Sequence, residues 1–159
     1  MLYSFEAAET VERLCQKLTN VELETYEDRE ELLLEIGDLL TEQVNNELGE
    51  LGSVWVKGRD RGKIKPVWAY GADFLPDIAI EVAEMPAVAI EVQLASRDSG
   101  TADPVAVALG RGLIYSIQYS YVICLVLDRS DSDVRKHWLD GEIETRLWDS
   151  HRISLIVRQ

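Results

Sequence analysis

The apolar run Tyr121–Leu127 limits most strongly what this chain can fold into. A run without polar alternation is typical of a central strand that is buried on both faces of its sheet. Two amphipathic helical patterns precede the run and can help to cover such a sheet. With 47% hydrophobic residues in 159, the chain has enough apolar material for a core. We therefore predict one α/β domain over residues 1–159, with a sheet covered on both faces.

The two helical patterns occupy the first third of the chain. The first runs from Ser4 to about Leu18, and Asn20 is its expected stop. The second runs from about Glu27 to Leu48, with Thr25 as its cap. Its apolar stripe recurs at helical spacing and comprises Leu33, Ile36, Leu40, Val44, Leu48 and Leu51.

Two glutamates of the second helix differ from its other acids, which project away from the stripe. Glu47 falls inside the stripe and faces whatever the helix packs on, and Glu30 falls at the edge of the stripe, one turn after the cap. Fraying of the helix end near Gly49 is the alternative explanation for the position of Glu47.

Two alternating runs carry acids on one face. In Pro76–Val82, Asp77 and Glu81 share a side, and in Ala87–Leu94, Glu91 and Gln93 do. The residues Glu84-Met85-Pro86 predict a tight turn between the runs. A hairpin centred there pairs Asp77 with Gln93 and makes Glu91 the diagonal neighbour of Asp77. This pairing predicts two carboxylates and an amide at one place, with solvent-facing acids on a wet sheet face as the alternative.

A basic segment precedes the acidic runs. Ser53–Lys57 and Ile64–Tyr70 are predicted to be strands of one hairpin with a glycine-containing loop. The segment holds the densest positive cluster of the chain, Lys57, Arg59, Arg61, Lys63 and Lys65. It is either a solvated turn with protective charges on an edge strand or a loop that contacts phosphates.

The remaining elements follow the acidic runs. A helix from Pro104 to about Tyr119 places Arg111 and Tyr115 on one face, so both can point toward one site. Ala108, Gly110 and Gly112 are expected to let this helix approach a sheet closely. After the apolar run, we predict a short helix at Val134–Leu139 and a last strand at Arg152–Val157.

The net charge of −13 is distributed unevenly. Residues 1–52 hold 14 acidic and 3 basic side chains, whereas residues 53–159 hold 15 and 13. Any contact with a nucleic acid is therefore expected from the second part of the chain. Cys15, Cys124, His137 and His151 lack metal-site spacing. Neither a signal peptide nor a long apolar span is visible, which predicts a cytoplasmic protein without membrane contact.

The order of these elements and a short motif resemble the PD-(D/E)XK nuclease superfamily. The motif residues are Pro76-Asp77, then Glu91-Val92-Gln93, then the helical segment Ala108–Tyr115 before the apolar strand. The resemblance covers about residues 27–128. It implies a restriction-endonuclease-like core in the order α-β-β-β-α-β, with a mixed central sheet flanked by helices on both faces. The pattern from Ser4 would be an extra N-terminal helix.

The resemblance also implies roles for particular residues. Asp77 and Glu91, with the Val92 carbonyl, would bind Mg²⁺ or Mn²⁺, and Gln93 stands where the family usually has the lysine that activates water. Glu47, or second Glu30, would be the glutamate that the first core helix adds. Arg111 replaces a glutamine that exonuclease relatives carry four residues before the tyrosine matched by Tyr115. Arg111 and Tyr115, with the basic segment, would contact DNA.

Three functions remain open at this stage. The first is a Mg²⁺-dependent nuclease that hydrolyses DNA. Binding to DNA through a partner protein is one option for it, and a homodimer is another, since cutting both strands needs two sites. The second is a nuclease-like domain without catalysis that serves as an interaction or regulatory module, because the Gln93 amide carries no charge to stabilise a hydroxide. The third is a metal-dependent hydrolase of another phosphate ester.

Overall fold

The computed structural model describes residues 2–24, 28–95, 102–129 and 141–159. The helices are α1 (Leu2–Asn20), α2 (Arg29–Leu48), α3 (Ala102–Tyr115) and α4 (Gly141–His151), with a 3₁₀ turn at Gly49–Leu51. The strands are β1 (Gly52–Val56), β2 (Val67–Ala69), β3 (Ala72–Phe74), β4 (Ile78–Val82), β5 (Met85–Ala95), β6 (Tyr121–Asp128) and β7 (Ile153–Arg158). None of the helices in these ranges has the length and apolar character needed to cross a membrane.

Five strands form one mixed sheet in the order β1-β4-β5-β6-β7. The pairs β1/β4 and β4/β5 are antiparallel, and the pairs β5/β6 and β6/β7 are parallel. Strand β6 lies between two parallel neighbours and is buried from Val122 to Asp128. The expected central strand is therefore confirmed, and its lack of alternation reflects burial on both faces.

Helices cover both faces of this sheet. The first face packs on α1 and α2 and contains Ile78, Ile80, Ile90, Val92, Ile123 and Leu125. The second face packs on α3 and contains Ala79, Ala89, Val122, Cys124 and Val126. Alternation along each strand assigns successive side chains to opposite faces. The predicted α/β fold with helices on both faces is thus confirmed at this general level.

The hairpin of β4 and β5 differs in register from the prediction. Its turn is Ala83-Glu84, with φ of 51° and 66°, and Met85 already belongs to β5. Ile78 pairs with Ile90, so the strands are shifted by two residues relative to a turn centred on Met85. Asp77, one residue before Ile78, therefore lies opposite Glu91, one residue after Ile90, rather than opposite Gln93.

The predicted hairpin of Ser53–Lys57 with Ile64–Tyr70 is wrong. Strand β1 pairs with β4, and β2 pairs with β3 around a tight turn at Tyr70-Gly71, with φ of 51° and 80°. Valines of β1 are buried beneath α2, and pairing with β4 provides that position. The segment between β1 and β2 is consequently a long loop, here called the basic loop (residues 57–66).

Helices α1 and α2 agree with the predicted periodicity, whereas α3 ends at Tyr115, four residues before its predicted end at Tyr119. Helix α1 ends at Asn20 as expected, and α2 is capped by Asp28, whose side chain accepts from Glu30 N–H. Thr25, the expected cap, and the predicted helix Val134–Leu139 lie outside the described residues. Helix α4 was not predicted, since none of its residues is fully buried and its apolar pattern is weak. Arg158 of β7 donates to the Leu18 and Val21 carbonyls (2.8 and 2.6 Å) at the end of α1.

Candidate functional site

Two buried carboxylates face each other where β4 begins. Asp77 immediately precedes β4 and is 1% exposed, and Glu91 lies in the middle of β5 and is 0% exposed. Both lie on the sheet face that packs on α3, together with Ala79 and Ala89. The sequence prediction that these acids share a face and lie close together is confirmed, with the corrected pairing.

One oxygen of Asp77 is fully engaged and the other is not. Its Oδ2 accepts from the Val92 N–H at 2.8 Å and from Arg29 Nη2 at 2.6 Å. Its Oδ1 is buried and has no hydrogen-bond partner among the described residues. An ionised oxygen in that state is costly, because buried charge normally requires a donor or a cation.

Arg29 was missed by the sequence reasoning. The same Nη2 atom that binds Asp77 also donates to the Val92 carbonyl at 2.8 Å, so the guanidinium bridges two expected metal ligands. A signal for it existed: Arg29 is the only basic residue between Lys17 and Lys57. It also lies in the first turn of α2, where the helix dipole favours acids and disfavours a cation.

Glu91 is held by three donors. Tyr115 Oη lies 2.9 Å from Oε2, and Gln93 Nε2 and Arg111 Nη1 lie 2.6 and 3.3 Å from Oε1. Burial raises the pKa of the Glu91 carboxyl, and the negative charge of Asp77 raises it further. The three donors oppose that rise because they stabilise the ionised form.

Arg111 and Tyr115 share a helix face and reach one site, as their spacing predicted. Tyr115 is 0% exposed, so its expected contact with DNA is wrong; its hydroxyl is enclosed between Glu91 and the Leu75 carbonyl, 3.1 Å away. Burial and the Glu91 charge raise the pKa of Tyr115, so it remains a proton donor. The exposed Arg111 keeps access to solvent.

A third acid of this face does not join the pair. Glu81 is 8% exposed, accepts from Trp55 Nε1 at 2.6 Å and forms an ion pair with Lys65 at 3.0 Å. A buried carboxylate with these two partners is satisfied within the protein. Glu81 therefore has a structural role, and it differs from Asp77, one of whose carboxylate oxygens has no partner among the described residues.

The five cations of the basic loop divide into two sets by their contacts. Arg59 pairs with Asp38 and Asp60 at 2.8 and 3.2 Å. Lys63 lies over the Trp55 ring, 4.4 Å from its centroid. With Lys65 bound to Glu81, three of the five cations have structural contacts.

The other two, Lys57 and Arg61, line a cavity of about 710 Å³, here called the loop cleft. Its wall also includes Arg29, which connects the loop cleft to Asp77, and the side chains Leu33, Asp73 and Leu75. Lys57 is tied to the site by its backbone as well, since its N–H donates to the Asp77 carbonyl at 2.8 Å. The lining also contains the acids Glu30, Asp60 and Asp73, so charges of both signs lie beside the carboxylate pair.

Glu47 does not reach the site. It follows Arg29 by eighteen residues, which is about 27 Å along the axis of α2. It forms an ion pair with Arg13 of α1, so its place in the apolar stripe faces the neighbouring helix. The helical periodicity correctly placed Glu47 on the packed face of α2, but Glu47 lies at the end of the helix that is far from Asp77. The second choice, Glu30, is exposed and lines the loop cleft.

The donor set is small for a metal ion. Within the described parts of the chain, there is no group of three or more His, Cys, Asp or Glu side chains placed to hold one. Asp77 and Glu91 supply two carboxylates and Val92 a carbonyl, which matches the few protein ligands that Mg²⁺ takes. Comparison of the chain with models of protein families, with curated proteins and with solved structures gave no match.

Proposed function

We propose that this chain is a metal-dependent nuclease that hydrolyses phosphodiester bonds of DNA, with Mg²⁺ or Mn²⁺ held by Asp77 and Glu91. The observation that carries the proposal is the facing pair of carboxylates, 1% and 0% exposed, in which Asp77 Oδ1 has no partner among the described residues. Two like charges at one buried place raise each other's cost, and a divalent cation removes it.

The available ligands suit a hard cation. Carboxylate oxygens of Asp77 and Glu91 and the Val92 carbonyl are all oxygen donors, and Mg²⁺ normally completes its shell with water and substrate oxygens. Bound there, the metal would lower the pKa of a water molecule and neutralise charge on the phosphate. Arg29 must leave Asp77 Oδ2 and the Val92 carbonyl for both atoms to become ligands.

Neighbouring side chains orient the Glu91 carboxylate and supply positive charge for the phosphate of the DNA. Tyr115 and Gln93 fix the carboxylate plane of Glu91 through one hydrogen bond to each oxygen. Arg111 is cationic and partly exposed beside Glu91, where it can neutralise a phosphate oxygen. Lys57 and Arg61 in the loop cleft attract the strand on either side of that phosphate.

A second candidate has an observation of its own. The Arg29 guanidinium places a positive charge on Asp77 Oδ2 and the Val92 carbonyl, at 2.6 and 2.8 Å. A permanent arginine there would replace the metal and leave the domain as an interaction or regulatory module. Gln93 also favours the interaction or regulatory module, because its amide carries no charge to stabilise a hydroxide.

Calorimetric titration with MgCl₂ and MnCl₂, followed by cleavage assays on linear, nicked and branched DNA, tests both candidates. The nuclease proposal expects metal binding and cleavage by the unaltered protein and neither by Asp77→Ala. Asp73→Ala, which removes an exposed acid of the neighbouring loop cleft, is the matched control and should keep both.

The variant Arg29→Met separates the two candidates. A nuclease whose arginine yields to the metal should bind Mg²⁺ without the substitution and more tightly with it. Metal binding seen only in Arg29→Met would favour the module with a permanent arginine. Failure of every variant to bind either metal would refute the nuclease proposal.

A further inference from the structure

The β2–β3 hairpin displays two aromatic side chains to solvent. Trp68 is 70% exposed and Tyr70, at the turn, is 100% exposed. The other aromatic rings whose burial the structure describes are half-buried or buried, the latter being Tyr115 at 0% and Tyr119 at 2%. Two exposed aromatic rings on one short hairpin form an apolar patch, and exposed apolar patches mark interaction sites.

Neither ring contributes to the hydrophobic core. In β2, the neighbours Val67 and Ala69 face inward and are buried, so Trp68 faces outward by alternation. The turn has no need of an aromatic residue either. The β4–β5 hairpin uses the same kind of two-residue turn, with positive φ at both positions, and carries Ala83-Glu84 there.

The position of the hairpin connects it to the loop cleft. Trp68 pairs with Asp73 across the two strands, so both side chains lie on the same face of the hairpin. Asp73 lines the loop cleft, which places Trp68 at the rim of that cleft. From Asp73 the chain reaches Asp77 in four residues, a span of at most about 14 Å.

Aromatic rings beside cations suit one class of ligand especially well. Proteins that hold single-stranded nucleic acid combine a positive groove for the backbone with aromatic rings on which bases stack. Lys57 and Arg61 provide cations next to the acids of the cleft, and Trp68 and Tyr70 provide the rings. In a duplex the base faces are already stacked on one another, so rings of this kind need unpaired bases.

We propose that the β2–β3 hairpin is a stacking platform for unpaired bases, and that the substrate class is DNA with a single-stranded segment. This inference rests on the proposed nuclease function for the statement that the strand is cut. The segment that joins Asp73 to Asp77 spans at most about 14 Å, a distance that only a few nucleotides of a single strand are needed to cover. The platform therefore holds bases a few nucleotides from the phosphate at Asp77.

Fluorescence anisotropy with labelled 20-nucleotide DNA, single-stranded or in a duplex, tests the platform in EDTA at low salt. The unaltered protein should bind the single strand more tightly than the duplex. Trp68→Ala should weaken single-strand binding about five- to a hundredfold, given the usual contribution of one stacked base. Trp68→Phe should restore most of it because the ring is retained.

Met85→Ala provides a matched control. Met85 is 67% exposed on the other hairpin, at the end of β4 remote from Asp77, and its loss should leave binding unchanged. Because Trp68 is exposed, Trp68→Ala should fold normally, which circular dichroism and the thermal midpoint can verify. Equal single-strand affinity for Trp68→Ala and Met85→Ala would overturn the inference.

Binding of duplex as tightly as single strand by the unaltered protein would also overturn it. The assay uses no divalent metal, so its result is independent of cleavage. Cleavage that occurs while Trp68→Ala binds normally would retain the nuclease and remove the platform. Trp68-dependent binding without any metal uptake would retain the platform as a DNA-binding surface and remove the nuclease.

Discussion

The two faces of the central sheet are built from different materials. The face beneath α1 and α2 is aliphatic, and its strand positions are residues such as Ile78, Ile90 and Ile123. The face beneath α3 mixes small residues with acids, among them Ala89 and Glu91, and Tyr115 of α3 packs on it. One sheet therefore has a face that serves mainly packing and a face that holds polar groups in fixed places.

The difference shows how a polar site can be kept inside a stable core. Aliphatic side chains on the first face supply burial without any hydrogen-bonding requirement. The second face carries the unfavourable groups, and small residues there let α3 come close enough for Arg111 and Tyr115 to reach Glu91. Substitutions on the first face should thus change stability, whereas those on the second should change stability and the site together.

The largest loss of stability is expected from Ile36→Ala in α2. Ile36 is 0% exposed in the aliphatic core, and a truncation of this kind costs about 2–5 kcal/mol. Leu34→Ala, on the more exposed side of the same helix at 38%, is the control and should cost far less. Urea unfolding measures both. Mg²⁺ affinity should stay unchanged in folded Ile36→Ala, and a large change in it would contradict the separation of the two faces.

A smaller loss is expected from Gly112→Ala in α3. A Cβ atom there would lie 2.9 Å from Cys124 Sγ and 3.3 Å from Val122 Cγ1, so the helix must move away, at about 1–3 kcal/mol. Gly110→Ala is the control: nothing lies within 4 Å of its Cβ, and alanine should stabilise the helix by about 0.5–1 kcal/mol. Thermal unfolding compares them, and equal effects of the two substitutions would show that α3 does not pack closely at Gly112.

The smallest effect on stability is expected from Glu91→Gln, and it depends on pH. Because the pKa of Glu91 is raised by folding, the folded protein binds more protons than the unfolded chain above the ordinary value of 4.5. The free energy of unfolding of the protein should then fall as the pH rises above 4.5, until Glu91 is ionised in the folded protein as well. In EDTA, Glu91→Gln should be close to the unaltered protein near pH 4 and more stable at pH 8. Parallel stability curves over this range would contradict the prediction.

Local patterns in the sequence were enough to predict much of the fold. The apolar run Tyr121–Leu127 and the alternation around Asp77 and Glu91 depend on neighbouring residues alone, and both predictions are confirmed. The register of β4 and β5 was missed because Ala83-Glu84 contains neither the Gly nor the Asn that usually marks such a turn.

The missed parts of the site depend on contacts between distant segments. Arg29 reaches Asp77 across 48 residues, and no local pattern specifies that pairing. Periodicity placed Glu47 on the packed side of α2 but could not tell which end of the helix lies near the acids. The restriction-endonuclease-like core and the catalytic roles stay predictions.

The contact of Arg158 with the end of α1 has a consequence during synthesis of the chain. The guanidinium donates to the carbonyls of Leu18 in α1 and of Val21 just after it, from 140 and 137 residues away in sequence. At about 5–20 residues per second, a ribosome delivers β7 roughly 7–30 s after it has delivered α1. Val11, Leu14 and Leu18, which are buried in the finished protein, lack part of their partner surface throughout that interval. During that interval, the apolar face of the N-terminal helix is a segment to which a chaperone can bind.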